Sequence, residues 1–224
     1  MRAMVLAAGR GERMRPLTDS VPKPLLRVGG ETLIGHHLRA LARAGVHEVV
    51  VNLSWLGEQI RAVLADGRDY GVHVQYSEEG AVPLETGGGI YQALPLLGPG
   101  PFLVVNGDIW TDFDLKTLAL DAAADARLVL APNPPHHPRG DFGLDGEQVI
   151  ERSSERPSYT YTGIGIYRPE FFAGCSAGRF PLLPLLRRAL EACRLHGECY
   201  RGEWHDVGSP ERLAELDARL RGRD

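Results

Sequence analysis

The 224-residue chain carries a formal net charge of −4, with 43% hydrophobic and 24% charged residues, the balance of an ordinary soluble globular protein. That charge excludes the broad positive field a nucleic-acid or anionic-membrane partner requires, and no apolar run approaches the ~18 residues of a membrane span. Three cysteines (Cys175, Cys193, Cys199), odd in number and without CxxC spacing, indicate neither a disulfide framework nor a zinc site, and free thiols in a reducing cytoplasm are expected.

One α/β domain that buries about 70% of its unfolded surface is expected at this length. The first apolar run, residues 3–8, reads as a buried strand, and Arg10, Arg13 and Arg15 follow it at once, which rules out a signal-peptide pattern. Leu33, Ile34, Leu38 and Leu41 recur at helical spacing, with Thr32 as N-cap and Gly45 as terminator. A second strand covers 48–53, and Ser54 is expected to cap a helix running through Leu64. Residues 73–77, 101–109 and 127–132 read as three further strands, with a helix beginning near Thr86 and another from Leu115. This alternation predicts right-handed crossovers and a mostly parallel sheet with helices on both faces.

The pattern changes after residue 140. Asp145-Gly146 stands between two strand-like runs as a hairpin signal, and 159–168 alternates with period two. A helix with Pro184 near its start and a last one with Ser209 as N-cap and Pro210 at its first position complete the chain. No hexapeptide repeat follows, so a fused β-helix domain is not expected.

The segment "LAAGRGERMRPLTDSVPKPLL" (6–26) sets Gly9 and Gly11 directly after a strand, where glycine lets backbone N–H groups approach a ligand, and adds Arg13 and Lys23. It is neither a dinucleotide fingerprint, because position 14 is Met, nor a Walker loop, because no Gly-Lys-Ser/Thr follows. "VVNGDIWTDFD" ends a strand on Asn106-Gly107-Asp108, with Asp112 or Asp114 as caps for the next turn, and "EWHDVGSPERL" repeats the theme with Asp206. Two carboxylates at strand ends suit a Mg²⁺ ion bound to substrate phosphates. His205 beside Asp206 suits packing better than Mg²⁺, and the adjacent His136 and His137 suit a surface loop.

The opening segment resembles the signature L-A-A-G-x-G-[ST]-R-[ML]-x-P-L-T-x-x-x-P-K-P of the sugar-1-phosphate nucleotidylyltransferases, with Glu12 where Ser or Thr is usual. The resemblance implies the nucleotidyltransferase fold, a Rossmann-like mixed, mostly parallel sheet flanked by helices with a small β-hairpin, sugar-binding lobe. Within one domain, about 1–135 would be the nucleotide-binding half and about 136–224 the sugar-phosphate-binding half. It further implies a metal on Asp108 and Asp206; nucleotide contacts from Ala8, Gly9, Gly11, Glu12, Arg13, Lys23, Gly80, Glu85, Gly88 and Asn106; and sugar-phosphate contacts from Gly140, Asp141 and Glu155, the last beside Arg156 where Lys is usual. Arg13, Lys23 and Asp108 would be the catalytic set.

The implied chemistry is attack of a sugar 1-phosphate oxygen on the α-phosphorus of a nucleoside triphosphate, with Mg²⁺ as cofactor and pyrophosphate leaving. The attacker is already anionic, which agrees with the absence of a general-base triad. "NGDIWTD", "PLETGGGI", "HHPRGDF" and "YRGEWHDVGSPERL" resemble most the branch that uses UTP and N-acetylmuramate 1-phosphate in peptidoglycan recycling. The rival readings are a mannose- or heptose-1-phosphate guanylyltransferase and, in another class, a non-catalytic sugar-nucleotide sensor. A cytoplasmic monomer or homodimer is expected, with small-molecule substrates and no nucleic-acid or membrane partner.

Overall fold

The apolar runs form strands because their residues are buried on both faces. The structure, a computed structural model, describes residues 1–222. Its first half contains β1 (Arg2–Leu6), β2 (Arg27–Val28), β3 (Glu31–Thr32), α1 (Leu33–Arg43), β4 (Glu48–Leu53), α2 (Gly57–Leu64), β5 (His73–Glu78), α3 (Glu85–Leu97), β6 (Phe102–Asn106), β7 (Ile109–Thr111) and β8 (Ala126–Pro132). The second contains β9 (Phe142–Asp145), β10 (Gln148–Glu151), β11 (Ser158–Tyr167), α4 (Leu183–Glu191), β12 (Leu195–Cys199), β13 (Trp204–Asp206) and α5 (Pro210–Arg221).

Nine strands make one mixed sheet in the order β5-β4-β1-β6-β11-β8-β12-β10-β9, and β9 also pairs with β11, so the second half of the sheet curls back on itself. β5, β4, β1 and β6 are mutually parallel, and β11 enters antiparallel between β6 and β8. Strand residues alternate between two cores: Ala3, Val5, Val49, Val51, Leu103 and Val105 face the α1 and α2 side, where Ile34, Leu38 and Ile60 meet them. Met4, Val50, Phe102 and Val104 face the α3 and α4 side, with Ile90, Ala93 and Leu186. This two-sided burial is what a parallel sheet covered by helices demands. A third, smaller cluster joins Met14, Leu33, Trp110, Val207 and Leu216, tying the N-terminal loop to α5.

Most local signals appear where expected. Thr32 Oγ1 accepts from the Gly35 N–H at 3.0 Å, and Ser209 caps α5 through the Arg212 N–H. The three cysteines are free thiols, and no helix of the described residues is long and apolar enough to cross a membrane.

Three expectations need correction. α2 begins at Gly57 after Leu56 in the left-handed region, and Ser54 Oγ donates to the Gly80 carbonyl at 2.8 Å instead of capping a helix. The hairpin register pairs Gln148 with Asp145, so its turn is Gly146-Glu147, which puts the glycine (φ +59°) at the first central position, where positive φ is required. The helix expected from Leu115 contracts to one 3₁₀ turn, Leu115–Thr117, whose cap is Asp114. Asp112 instead accepts from the Glu203 N–H at 2.8 Å and from the Tyr200 hydroxyl.

Candidate active site

A cavity of about 630 Å³ opens at the C-terminal ends of β1 and β6, within the size range of small-molecule sites. The loop after β1 forms one wall, and the segment joining β5 to α3 forms the other. Ala8, Gly9, Gly11, Glu12, Arg13, Lys23, Glu85, Asn106 and Asp108 all line it. Gly11 turns the chain at φ +64°; its carbonyl accepts from Met14 N–H and from the hydroxyl of buried Thr18, both at 2.8 Å. Gly9 has open space where a Cβ would stand, and Glu12 is exposed at the start of a 3₁₀ turn.

At the floor Lys23 Nζ donates to Asp108 Oδ2 at 2.6 Å, with the lysine side chain 9% and the aspartate 37% exposed. Lys23 opens a 3₁₀ turn braced by Pro22 and Pro24. Asp108 follows Gly107, whose N–H donates to the Leu6 carbonyl at 2.9 Å; a Cβ there would meet that oxygen at 2.5 Å. Only glycine lets β6 end so close to β1.

β13 pairs with β7, aligning Asp206 with Ile109, and the Val207 N–H donates to the Asp108 carbonyl at 3.0 Å. Asp108 and Asp206 are thereby near neighbours, although 98 positions separate them in the chain. The Asp206 carboxylate accepts from Arg212 at 2.8 Å and lies 3.3 Å from His136 Nε2. His205 packs its ring on Trp110, centroids 5.9 Å apart.

The opposite wall rests on residues the motif reading missed. Ala7 N–H donates to Asn52 Oδ1 at 2.7 Å, Asn52 Nδ2 donates to Glu79 Oε1 at 2.6 Å, and Leu84 N–H donates to Glu79 Oε2 at 2.7 Å. Asn52 and Glu79 are both buried, so this chain satisfies them while tying β1, β4 and the β5–α3 segment together. The available signal was Asn52 set among the apolar residues near the end of β4. Arg10 lies over the Trp55 ring and donates to the Ala81 carbonyl.

The glycine triplet of α3 gives three neighbours a close approach to the helix. A Cβ on Gly87 would meet the Phe180 ring at 2.6 Å, one on Gly88 the Gly178 carbonyl at 2.2 Å, and one on Gly89 the Glu79 carboxylate at 2.4 Å. The triplet admits the 178–180 segment against the helix, with Gly88 N–H donating to the Phe180 carbonyl and Phe180 N–H to that of Leu84. This docking delivers Arg179 to the cavity, where its Nε lies 2.9 Å from Glu85 Oε1. Gly88→Ala is expected to cost about 1–3 kcal/mol of stability through backbone overlap, whereas Gly9→Ala stays within about 0.5 kcal/mol; urea unfolding of both variants checks this.

Glu85 holds φ +61°, which costs a non-glycine residue about 1–2 kcal/mol. Its ion pair is 62% exposed on the Arg179 side and 38% on its own, and such pairs return ~0–1 kcal/mol. Stability therefore does not account for this arrangement.

Gly80, Gly88, Gly140, Asp141, Glu155 and Asp206 lie outside the cavity lining. Gly140, at φ +58°, fits under Asn133, and the Asp141 carboxylate accepts from Tyr161 N–H at 2.8 Å and contacts His137 at 3.1 Å, so this loop is pinned to β11. Glu155 is exposed between β10 and β11, and Arg156 pairs with Asp145. Asp121, Glu147 and His196 bring ligand atoms within 4.8 Å of one another. That group sits at the opposite sheet edge, where β8 and β12 begin, and is already engaged by His196–Asp121 and Arg127–Glu147 contacts.

A sequence profile for the family described as Nucleotidyl transferase matches residues 2–222. An N-acetylmuramate alpha-1-phosphate uridylyltransferase of Neisseria meningitidis serogroup B is 52% identical over 97% of both chains. One of the same description from Caulobacter vibrioides is 38% identical over 97% of this chain and 96% of its own. Among solved structures, a Bacillus anthracis chain described as a glucose-1-phosphate thymidylyltransferase superimposes with TM-score 0.85 at 20% identity, covering 99% of this chain and 95% of that one.

Proposed function

The chain belongs to the nucleotidyl transferase family, and from that premise we propose that it transfers UMP from UTP to N-acetylmuramate 1-phosphate, releasing pyrophosphate. The observation that carries the reading is the cavity itself, with a glycine-rich cationic loop and the Lys23–Asp108 pair at the ends of β1 and β6. The choice of base and sugar is supported by the relative 52% identical over 97% of the chain. In this reading the first ~135 residues hold the nucleotide and the remainder the sugar phosphate in a cytoplasmic monomer or homodimer.

Lys23 and Arg13 line the cavity beside the loop after β1 and would meet the triphosphate there, together with backbone N–H groups around Gly9 and Gly11. Their task is to offset repulsion between two polyanions and to stabilise charge as the bond to pyrophosphate breaks. Asn106, at the end of β6 near Asp108, lines the same cavity and would contact the nucleotide there. No general base is needed, because the attacking phosphate oxygen is already anionic. Nucleotidyl transferases of this family generally use a divalent metal. Asp108 and Asp206 suit Mg²⁺, since both offer hard carboxylate oxygens, one from the turn between β6 and β7 and one from the neighbouring β13, with Lys23 and Arg212 each engaging Oδ2. Bound there, Mg²⁺ would polarise the phosphate oxygens and screen their charge.

Pyrophosphate release from UTP and from GTP, each with N-acetylmuramate 1-phosphate and with mannose 1-phosphate, tests the proposal. Turnover is expected with UTP and the N-acetylmuramate substrate. Preference for GTP and mannose 1-phosphate, or no release with any pair, would overturn it.

A further inference from the structure

We infer that Arg179, delivered from outside the glycine-rich motif, reads the nucleobase: its guanidinium donates to an imide carbonyl oxygen while the Glu85 carboxylate accepts the base N–H beside it. The inference rests on reading the cavity as a nucleoside triphosphate site. Arg179 is remote in sequence from every other lining residue; those end at Asp108. It reaches the cavity because Gly87 and Gly88 leave room for the 178–180 segment, and backbone hydrogen bonds to Leu84 and Gly88 fix that segment in place.

Position assigns the two sides of the cavity. The glycine-rich loop after β1 and the Lys23–Asp108 pair are the phosphate side in the functional reading, and Arg179 and Glu85 stand on the facing wall, the segment between β5 and α3, with Glu79 hydrogen-bonded to Leu84 behind them. With the triphosphate on the loop, that facing wall is left for the base. Glu79 is already committed to Asn52 and Leu84, which leaves Glu85 as the acceptor, held beside Arg179 at 2.9 Å. Uracil offers an N–H flanked by two carbonyl oxygens, the complement of one carboxylate beside one guanidinium. The strained backbone at Glu85, uncompensated by its exposed ion pair, fits a residue retained for a ligand.

The test is an enzyme-by-substrate cycle. UTP, 2-thio-UTP and 4-thio-UTP are compared by kcat/KM with wild type, Arg179→Ala and Arg179→Lys, because sulfur replaces a carbonyl oxygen by a weaker acceptor. In the wild type one of the two thio analogues is expected to be used about 10-fold less well than UTP. With Arg179→Ala, UTP itself is expected to fall by about 10-fold and the penalty for that analogue to vanish. Arg179→Lys, which keeps the charge but loses the planar fork, is expected to behave like the alanine variant. Equal sensitivity to thio substitution in wild type and Arg179→Ala would overturn the inference, as would full rescue by lysine with uniform loss for all three nucleotides in the alanine variant, the signature of a phosphate contact. Wild-type enzyme that turns over no uridine nucleotide fails the functional proposal instead, so the two failures are distinguishable.

Discussion

Asp108→Asn is expected to lower kcat/KM for pyrophosphate release by about 10²–10³, the usual cost of removing one preorganised charged group from a site of this kind. The same substitution carries a second, separable effect. Lys23 is 9% exposed, and Asp108 is its ion-pair partner at 2.6 Å. Replacing the carboxylate by an amide leaves an ammonium in a nearly dry position with a weaker acceptor, which is expected to cost about 1–3 kcal/mol of folding stability. The cost stays below that of a fully buried pair because Asp108 itself is 37% exposed and water can enter beside it. Adding Lys23→Met to Asp108→Asn removes the stranded charge, so urea unfolding of the double variant is expected to return toward wild type while activity stays lost. Recovery of activity together with stability, or wild-type turnover by Asp108→Asn, would remove Asp108 and Lys23 from the chemistry.

What was legible in the sequence was mainly what is local. The strand at Glu48–Leu53, the Thr32 and Ser209 caps and the loop after β1 are each written in a short window, because burial on two faces and capping are properties of neighbouring residues. Loop motifs led to one cavity because Gly9, Gly11 and Lys23 lie in the loop after β1 and Asp108 follows β6, and the parallel strands β1 and β6 end side by side. What was not legible shares a cause. The residues packed on Gly88 are Gly178 and Phe180, about 90 positions away. Ser54 donates to Gly80 because the β5–α3 segment passes over it. Glu79 and Arg179 carry no local pattern, and Asn52 only that of a polar residue among apolar ones; the fold shows that all three line the cavity. The sugar-phosphate candidates Gly140 and Asp141 form a turn that satisfies its own polar groups on β11, a use that no spacing rule separates from ligand binding.

Acidification is expected to expose a second consequence of the fold through His37. This residue lies on the buried side of α1 at 4% exposure, and its Nε2 has no hydrogen-bond partner among the described residues. Burial drives its pKa down to about 4 from the usual 6.5, against opposing contributions from the Ile109 backbone and the Asp108 charge. In the folded protein His37 is therefore neutral at pH values where the unfolded chain is already protonated. The sign follows: its contribution to stability is fully present above pH 6.5 and is lost progressively as pH falls from 6.5 toward 4. Over that window the loss is on the order of 3 kcal/mol, since each pKa unit corresponds to about 1.4 kcal/mol. The carboxylates held low by partners, such as Asp125 beside Arg194, act in the same direction but at lower pH, when they themselves become protonated. His37→Gln removes the titrating ring but keeps a polar side chain at the site, so its unfolding free energy is expected to change much less between pH 6.5 and 4.5 than that of the wild type. Urea unfolding at half-unit steps across this range, for both proteins, gives the difference directly. Parallel curves would mean that His37 is solvated or protonated in the native state, and that β7, which carries the chain away from Asp108, is not packed on a neutral imidazole.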